Sequence, residues 1–298
     1  MRRIIWTAVL MTLIGSACSA APEAKDQVPT SKGAPTPGQD VFPVIASSEI
    51  VVGDNRLQIG LIDTNDAPVR SPKTTLQVAF VGPGDREPSS ETTMSFLWTI
   101  KPVQGLWVEE ATFDRPGEWE AAINVVGGGY DANVRTTFEV KKEGTTPEIG
   151  AKAPAVDTPT ASDVIDLSEI TTDSDPDPRF YELSITEALN AGRPAVIVFA
   201  TPKFCTSQVC GPTLSLVKDV AKDHPRVNFV HVEPYDLDKV PEKLEPVPAV
   251  TAWGLPSEPW VFVTDSKGRV AAKYEGSVAP TELKDLLRSL GVIDRDRH

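Results

Sequence analysis

The chain has 298 residues, with 42 acidic against 29 basic side chains and a net charge of −13. An acidic chain without basic runs has nothing with which to displace the counterions of a nucleic acid or to hold anionic headgroups, so neither is expected as a partner. The sequence also lacks a phosphate-binding glycine-rich loop and a zinc-type histidine pair, which removes the commonest nucleotide and hydrolytic metal chemistries.

At the N-terminus, Arg2 and Arg3 precede the apolar stretch Ile4 to Ile14 and the small residues Gly15-Ser16-Ala17, the layout of an export signal. The apolar stretch is too short for a permanent span. Gly15-Ser16-Ala17-Cys18 resembles the lipobox of bacterial lipoproteins, departing from it at Gly15, where a larger aliphatic residue is commoner. The resemblance implies cleavage of residues 1–17, lipidation of Cys18 and an extracytoplasmic chain anchored to the cell membrane; an ordinary cleaved signal is the alternative. Cleavage removes two arginines and no acid, moving the charge to −15, and leaves 281 residues, a length that suits about two domains. Export also provides surroundings in which a cysteine pair persists as a disulfide.

Residues 18–42 are rich in Ala, Pro, Gly, Ser, Thr and Lys and carry no apolar period, as expected of a flexible tether. The pattern over 43–142 is all β. Leu57, Ile59 and Leu61 alternate, as do Leu76, Val78 and Phe80, then Ala121, Ile123 and Val125, then Val134, Thr136, Phe138 and Val140. Turn residues at Asp63 to Pro68, Gly82 to Asp85 and Arg115 to Gly117 separate these runs. About seven short strands in this span suit an immunoglobulin-like β-sandwich. Trp98, Trp107 and Trp119 read as core or sheet-face residues, with a ligand platform as the alternative. Gly127-Gly128-Gly129 reads as a turn.

Residues 143–180 form a Pro- and Asp-rich linker or domain extension. Within it, Glu148 to Pro154 resembles the opening segment of redoxin-type domains, which implies that it packs onto the next domain. Over 181–291 the period changes. Ser184 and Glu187 form a capping-box signal ahead of Ala188-Leu189, Gly192 ends that helix, and Ala195 to Ala200 is a buried strand. Leu214, Val217 and Ala221 mark one face of a second helix. Val227 to Val232 is a strand, and Trp260 to Val263 with Val270 to Tyr274 a hairpin. Leu283, Leu286, Leu287 and Leu290 build a closing helix with Gly291 past its end, and 292–298 is a tail.

This order, with Val198-Phe199-Ala200-Thr201-Pro202-Lys203-Phe204-Cys205, Glu258-Pro259-Trp260-Val261-Phe262-Val263 and Asp265 to Val270, resembles the thioredoxin fold over residues 180 to 291. The expected fold class is thus an N-terminal all-β immunoglobulin-like sandwich plus a C-terminal α/β thioredoxin-like fold. By that resemblance Cys205 is the attacking thiol and Cys210 the resolving one, Pro259 is a cis-proline, and Glu258 before it faces the cysteine pair, with a backbone that can pair with a substrate peptide. A carboxylate there opposes the helix dipole that favours thiolate.

The departure is the spacing, Cys-x4-Cys where thioredoxins have two intervening residues. Five positions apart on a regular helix, two Cα atoms stand about 8 to 9 Å apart, beyond the reach of a disulfide at about 7 Å. A closed pair therefore needs Cys205 in the loop and Cys210 in or near the first turn, with Thr206 or Ser207 as cap. With Cys18 lipidated, Cys205 and Cys210 have only each other. The function so implied is thiol–disulfide exchange with exported thiol or disulfide proteins, without cofactor or metal. Two rivals stand beside it. The pair can be a purely structural disulfide in a non-catalytic binding lipoprotein. It can also serve copper delivery of the Sco type, with His231 as third ligand, although that family has three residues between its cysteines. The peroxiredoxin loop is matched only in part by Thr201-Pro202 and Cys205, and no arginine of that motif is evident.

Overall fold

The computed structural model describes residues 41–292. The export signal, the lipidation residue Cys18 and most of the tether and tail lie outside the described residues.

Seven strands come first: β1 (Val41–Ile45), β2 (Gly53–Asp63), β3 (Thr75–Val81), β4 (Thr92–Ile100), β5 (Gln104–Phe113), β6 (Gly117–Gly127) and β7 (Tyr130–Val140). Their alternating apolar residues all point to one side. Leu57, Ile59, Leu76, Val78, Trp107, Ala121, Ile123 and Val134 are buried in a common core. Phe113 stands at its centre, edge-on to Phe80 at 5.3 Å, Trp119 at 4.9 Å and Phe138 at 5.3 Å between ring centroids. Gly105 is required here by close approach, because a Cβ at that position would fall on the Phe96 ring of the neighbouring strand.

The strand order is β1-β2-β5-β4-β3-β6-β7, one continuous antiparallel sheet. The two halves stay joined through a short junction, Leu76 to Val78 of β3 against Met94 to Thr92 of β4. A twisted antiparallel sheet coils, and this one coils until its edges meet: β1 packs against β7, and Val52 N–H donates to Lys141 O at 3.0 Å.

A second unit comes next: α1 (Ile185–Asn190), β8 (Ala195–Phe199), α2 (Cys210–Asp223), β9 (Asn228–Val232), α3 (Pro248–Ala252), β10 (Trp260–Thr264), β11 (Val270–Glu275) and α4 (Pro280–Ser289). The expected capping box is formed, Ser184 Oγ accepting from Glu187 N–H. The sheet order is β11-β10-β8-β9, with β8 and β9 parallel and the other pairs antiparallel. Parallel neighbours need a crossover, which α2 supplies. Every residue of β8, β9 and β10 is buried.

The expected fold class is corrected by these findings. Among the described residues strand outweighs helix, 37% to 17%, so the chain is mostly β rather than half α/β thioredoxin-like. Its N-terminal part is a nearly closed, barrel-like single sheet rather than a two-sheet immunoglobulin-like sandwich. The reason is physical. Alternation tells which face of each strand is buried, but both arrangements bury the same faces, and only the β3–β4 pairing separates them.

Residues 143–180 wrap the second unit as a strap. Gly150 N–H donates to Val270 O at 2.7 Å, Ala153 N–H to Gly268 O at 3.0 Å and Ala161 N–H to Tyr181 O at 2.8 Å. The two units are joined by Arg56 of β2, which pairs with Glu282 of α4 through Nε at 2.8 Å and Nη2 at 3.0 Å and lies over the Tyr274 ring of β11. Glu49 adds a second junction. Its burial opposes ionisation, but Thr146 and Thr145 donate to it and Lys273 lies at 3.2 Å, so its pKa is lowered on balance.

Candidate functional site

The buried strand β8 delivers the chain to Thr201, where Cys205 N–H donates to the Thr201 carbonyl at 3.1 Å and turns the loop. Gln208 takes a left-handed conformation, φ 62°, which reverses the backbone just ahead of α2. The result is a disulfide between Cys205 and Cys210, with their Cα atoms 6.0 Å apart. Cys205 is in the loop and partly exposed, whereas Cys210 is the first residue of α2 and fully buried.

Neither Thr206 nor Ser207 caps the helix, contrary to expectation. The N-cap is Val209, and no side chain caps it. The turn at Gln208 instead brings the Ser207 hydroxyl to the Cys205 sulfur at 3.2 Å, and that sulfur accepts the Cys210 N–H at 3.3 Å. Cys205 Sγ thus occupies the place of a capping atom. A thiolate formed there upon reduction meets the positive end of the helix and the Cys210 N–H, which favours it over the thiol.

Glu258 and Pro259 lie where the chain enters β10. The Glu258-Pro259 peptide bond is cis, as are Lys101-Pro102 and Val240-Pro241. Trp260 is paired with Phe199, so Pro259 stands across from Ala200 at the end of the sheet where the cysteine loop departs. Pro259 is buried, and Glu258 partly so. Burial pushes the Glu258 carboxyl upward in pKa, offset in part by the Tyr235 hydroxyl, which donates to its Oε2 at 3.1 Å.

Behind the loop is a buried polar cluster that spacing alone does not announce. His231 Nε2 faces the Ala200 carbonyl at 2.8 Å, so it carries the proton, and Nδ1 accepts from the Tyr181 hydroxyl at 2.8 Å with Thr171 Oγ1 at 3.3 Å. Burial, against the Ala200 hydrogen bond, pulls the His231 pKa down to about 4. Both ring nitrogens are engaged and the ring is neutral, so the histidine that the copper reading needs is turned into the protein. Glu233, also buried, accepts at Oε2 from the Thr172 N–H at 2.9 Å and hydroxyl at 2.8 Å, and Thr172 Oγ1 in turn accepts from Lys203 N–H at 3.2 Å. Burial raises the Glu233 pKa, and neighbouring Glu258 raises it further. The strap thereby clamps the loop two residues before Cys205.

Among the described residues no cluster of three or more His, Cys, Asp or Glu side chains is arranged to hold a metal, and no helix is long and apolar enough to cross a membrane. Comparison of the chain with protein-family models, with curated proteins and with solved structures finds no match.

Proposed function

We propose that this protein is a thiol–disulfide oxidoreductase that acts through Cys205 and Cys210 on exported thiol or disulfide proteins, held at the extracytoplasmic face of the membrane by a lipid on Cys18. The observation that carries the reading is the asymmetry of the pair. A partly exposed cysteine in the loop ahead of a helix N-terminus is bonded to a fully buried one in the first turn. Exchange needs those two environments, because attack requires access while resolution requires only reach to the first sulfur.

In the reductive direction, the Cys205 thiolate attacks one sulfur of a substrate disulfide, whose other sulfur leaves as thiolate and takes a proton from solvent. The Cys210 thiolate then attacks Cys205 Sγ, releasing the second substrate thiol and closing the Cys205–Cys210 bond. Oxidation of a substrate dithiol is the same sequence reversed. Glu258 and Pro259, at the same sheet end, are the residues against which a substrate backbone docks. A bridge closing a ring of only about six residues restrains the unfolded chain by about 2 kcal/mol, less than one joining distant segments, so structural locking gains little from this spacing.

Two measurements test the reading. The reduction potential of the pair is expected between about −120 and −270 mV, whereas a value below about −300 mV supports a structural bridge. Cys205→Ser should abolish exchange, and Cys210→Ser should accumulate mixed disulfides through Cys205. Absence of trapped species with intact folding would sink the proposal.

A further inference from the structure

Glu275 and Gly276, at the end of β11, meet three parts of the molecule at once. Toward the substrate loop, Gly276 N–H donates to the Pro259 carbonyl at 2.8 Å, and Ser257 Oγ donates to Glu275 Oε1 at 2.8 Å. Toward the cysteine helix, Thr213 Oγ1, one turn past Cys210, donates to Gly276 O at 3.3 Å. Toward the N-terminal sheet, Ser48 N–H donates to Glu275 Oε2 at 2.8 Å and Gln58 Nε2 to Glu275 O at 3.1 Å. The Ser48 hydroxyl also reaches Ser257 Oγ at 3.1 Å, and Ser257 Oγ accepts from Trp260 Nε1 at 3.2 Å.

Two further features show that this junction is built rather than incidental. Gln58 is a polar residue on a strand, buried to 2% exposure, and the partner of its amide nitrogen is in the other unit. Gly276 has φ +65°, a left-handed conformation that strains any side chain, and a Cβ there would lie 3.4 Å from Gln58 Oε1. The turn that aims Gly276 N–H at the Pro259 carbonyl therefore favours glycine through its backbone conformation, with Gln58 Oε1 at ordinary contact distance.

We propose that the N-terminal sheet is a positioning part of the exchange site, acting through Glu275 and Gly276 on the Glu258–Pro259 loop. This rests on the exchange reading and extends it to the N-terminal sheet. Ser48 and Gln58 are positioning residues, since they reach the site only through others. Their contribution falls on the docking of an extended peptide, which uses the loop, and not on attack at sulfur, which does not.

The test uses the full chain with a small dithiol as terminal reductant, which returns Cys205 and Cys210 to the dithiol after each turnover and whose direct reaction is subtracted, and two probes: a short peptide in mixed disulfide with glutathione, and hydroxyethyl disulfide, which has no backbone to dock. Ser48→Ala combined with Gln58→Leu changes the N-terminal unit alone, removing the Ser48 hydroxyl contact to Ser257 and the Gln58 amide donor to Glu275 O while the Ser48 backbone N–H stays on Glu275. It should raise KM for the peptide about tenfold with kcat within about twofold, and leave hydroxyethyl disulfide turnover unchanged. Hydrogen exchange at the Gly276 amide should quicken in parallel, a readout that needs no activity. Glu275→Ala should act in the same way, and Glu275→Gln, which keeps an acceptor for Ser48 N–H, should restore most of the affinity. Unchanged peptide KM and unchanged Gly276 protection overturn the inference, as does an equal loss with both probes, which marks general disruption. If the wild-type protein exchanges with neither probe, the exchange reading falls by itself, and Gly276 protection still decides whether the sheet braces the loop.

Discussion

The two sheets bury different things. The core of the N-terminal sheet is made of aliphatic and aromatic side chains, with Phe113, Trp107 and Ile123 near its centre, and the polar residues buried in that unit, among them Asn55, Gln58 and Thr136, are neutral. The C-terminal sheet is covered on both faces and buries His231, Glu233, Thr201 and Thr213 close to the loop and helix that hold the cysteines. A buried polar group costs free energy unless it is hydrogen-bonded, so one unit is organised by packing and the other by a network that must stay satisfied. What the contrast teaches is where chemistry is placed. The unit that tolerates buried titratable groups carries the sulfurs, and the unit built on packing supports it from the side.

The largest expected effect tests the packing half. Phe113 makes three edge-to-face contacts and is fully buried, so Phe113→Ala should cost about 3–5 kcal/mol of stability by denaturant titration. A loss under about 1 kcal/mol, on the order of an exposed site, would mean that the aromatic cluster does not organise the sheet.

The next effect tests the polar half through pH. The folded-state pKa of His231 lies at about 4, below the ordinary 6.5. Between these values the unfolded chain binds more protons, so the stability that His231 contributes is complete above about pH 6.5 and is lost as pH falls toward 4. From about pH 7 to about pH 4.5 the loss should be about 2 kcal/mol. Buried Glu233, with its raised pKa, acts with the opposite sign, contributing stability that is full below its unfolded pKa and lost as pH rises. Comparison with His231→Gln isolates the histidine; an identical pH profile in that variant would show that the imidazole is not held neutral. The smallest expected effect is local. Ser184→Ala removes the cap of α1 and should cost about 1 kcal/mol, with no change in exchange rate.

Much of the molecule is readable along the chain because it depends on neighbours in sequence. Ser184 and Glu187 are three residues apart, and their capping box follows from helix geometry alone. The placement of Cys205 in a loop and Cys210 at a helix start follows from the rise per residue, which forbids a bridge over five positions of a regular helix. The cap is not readable in this way, because the turn at Gln208 points Ser207 at sulfur instead of at the helix amides. Nor is the direction of His231, since period-two alternation cannot say what lies over a strand buried on both faces.

By itself, then, the sequence determined the strands, the capping box of α1, the turn glycines and the cysteine spacing, all of which are set by sterics and hydrogen bonds within a few residues. Only the tertiary structure decided that seven strands form one nearly closed sheet, that His231 turns inward to Tyr181 and Ala200, and that Ser48 and Gln58 reach Glu275 from more than 200 residues away. Those contacts join segments whose separation along the chain carries no signal. Their partners are chosen by which faces remain unsatisfied once each sheet has formed, and that is a property of the packed molecule.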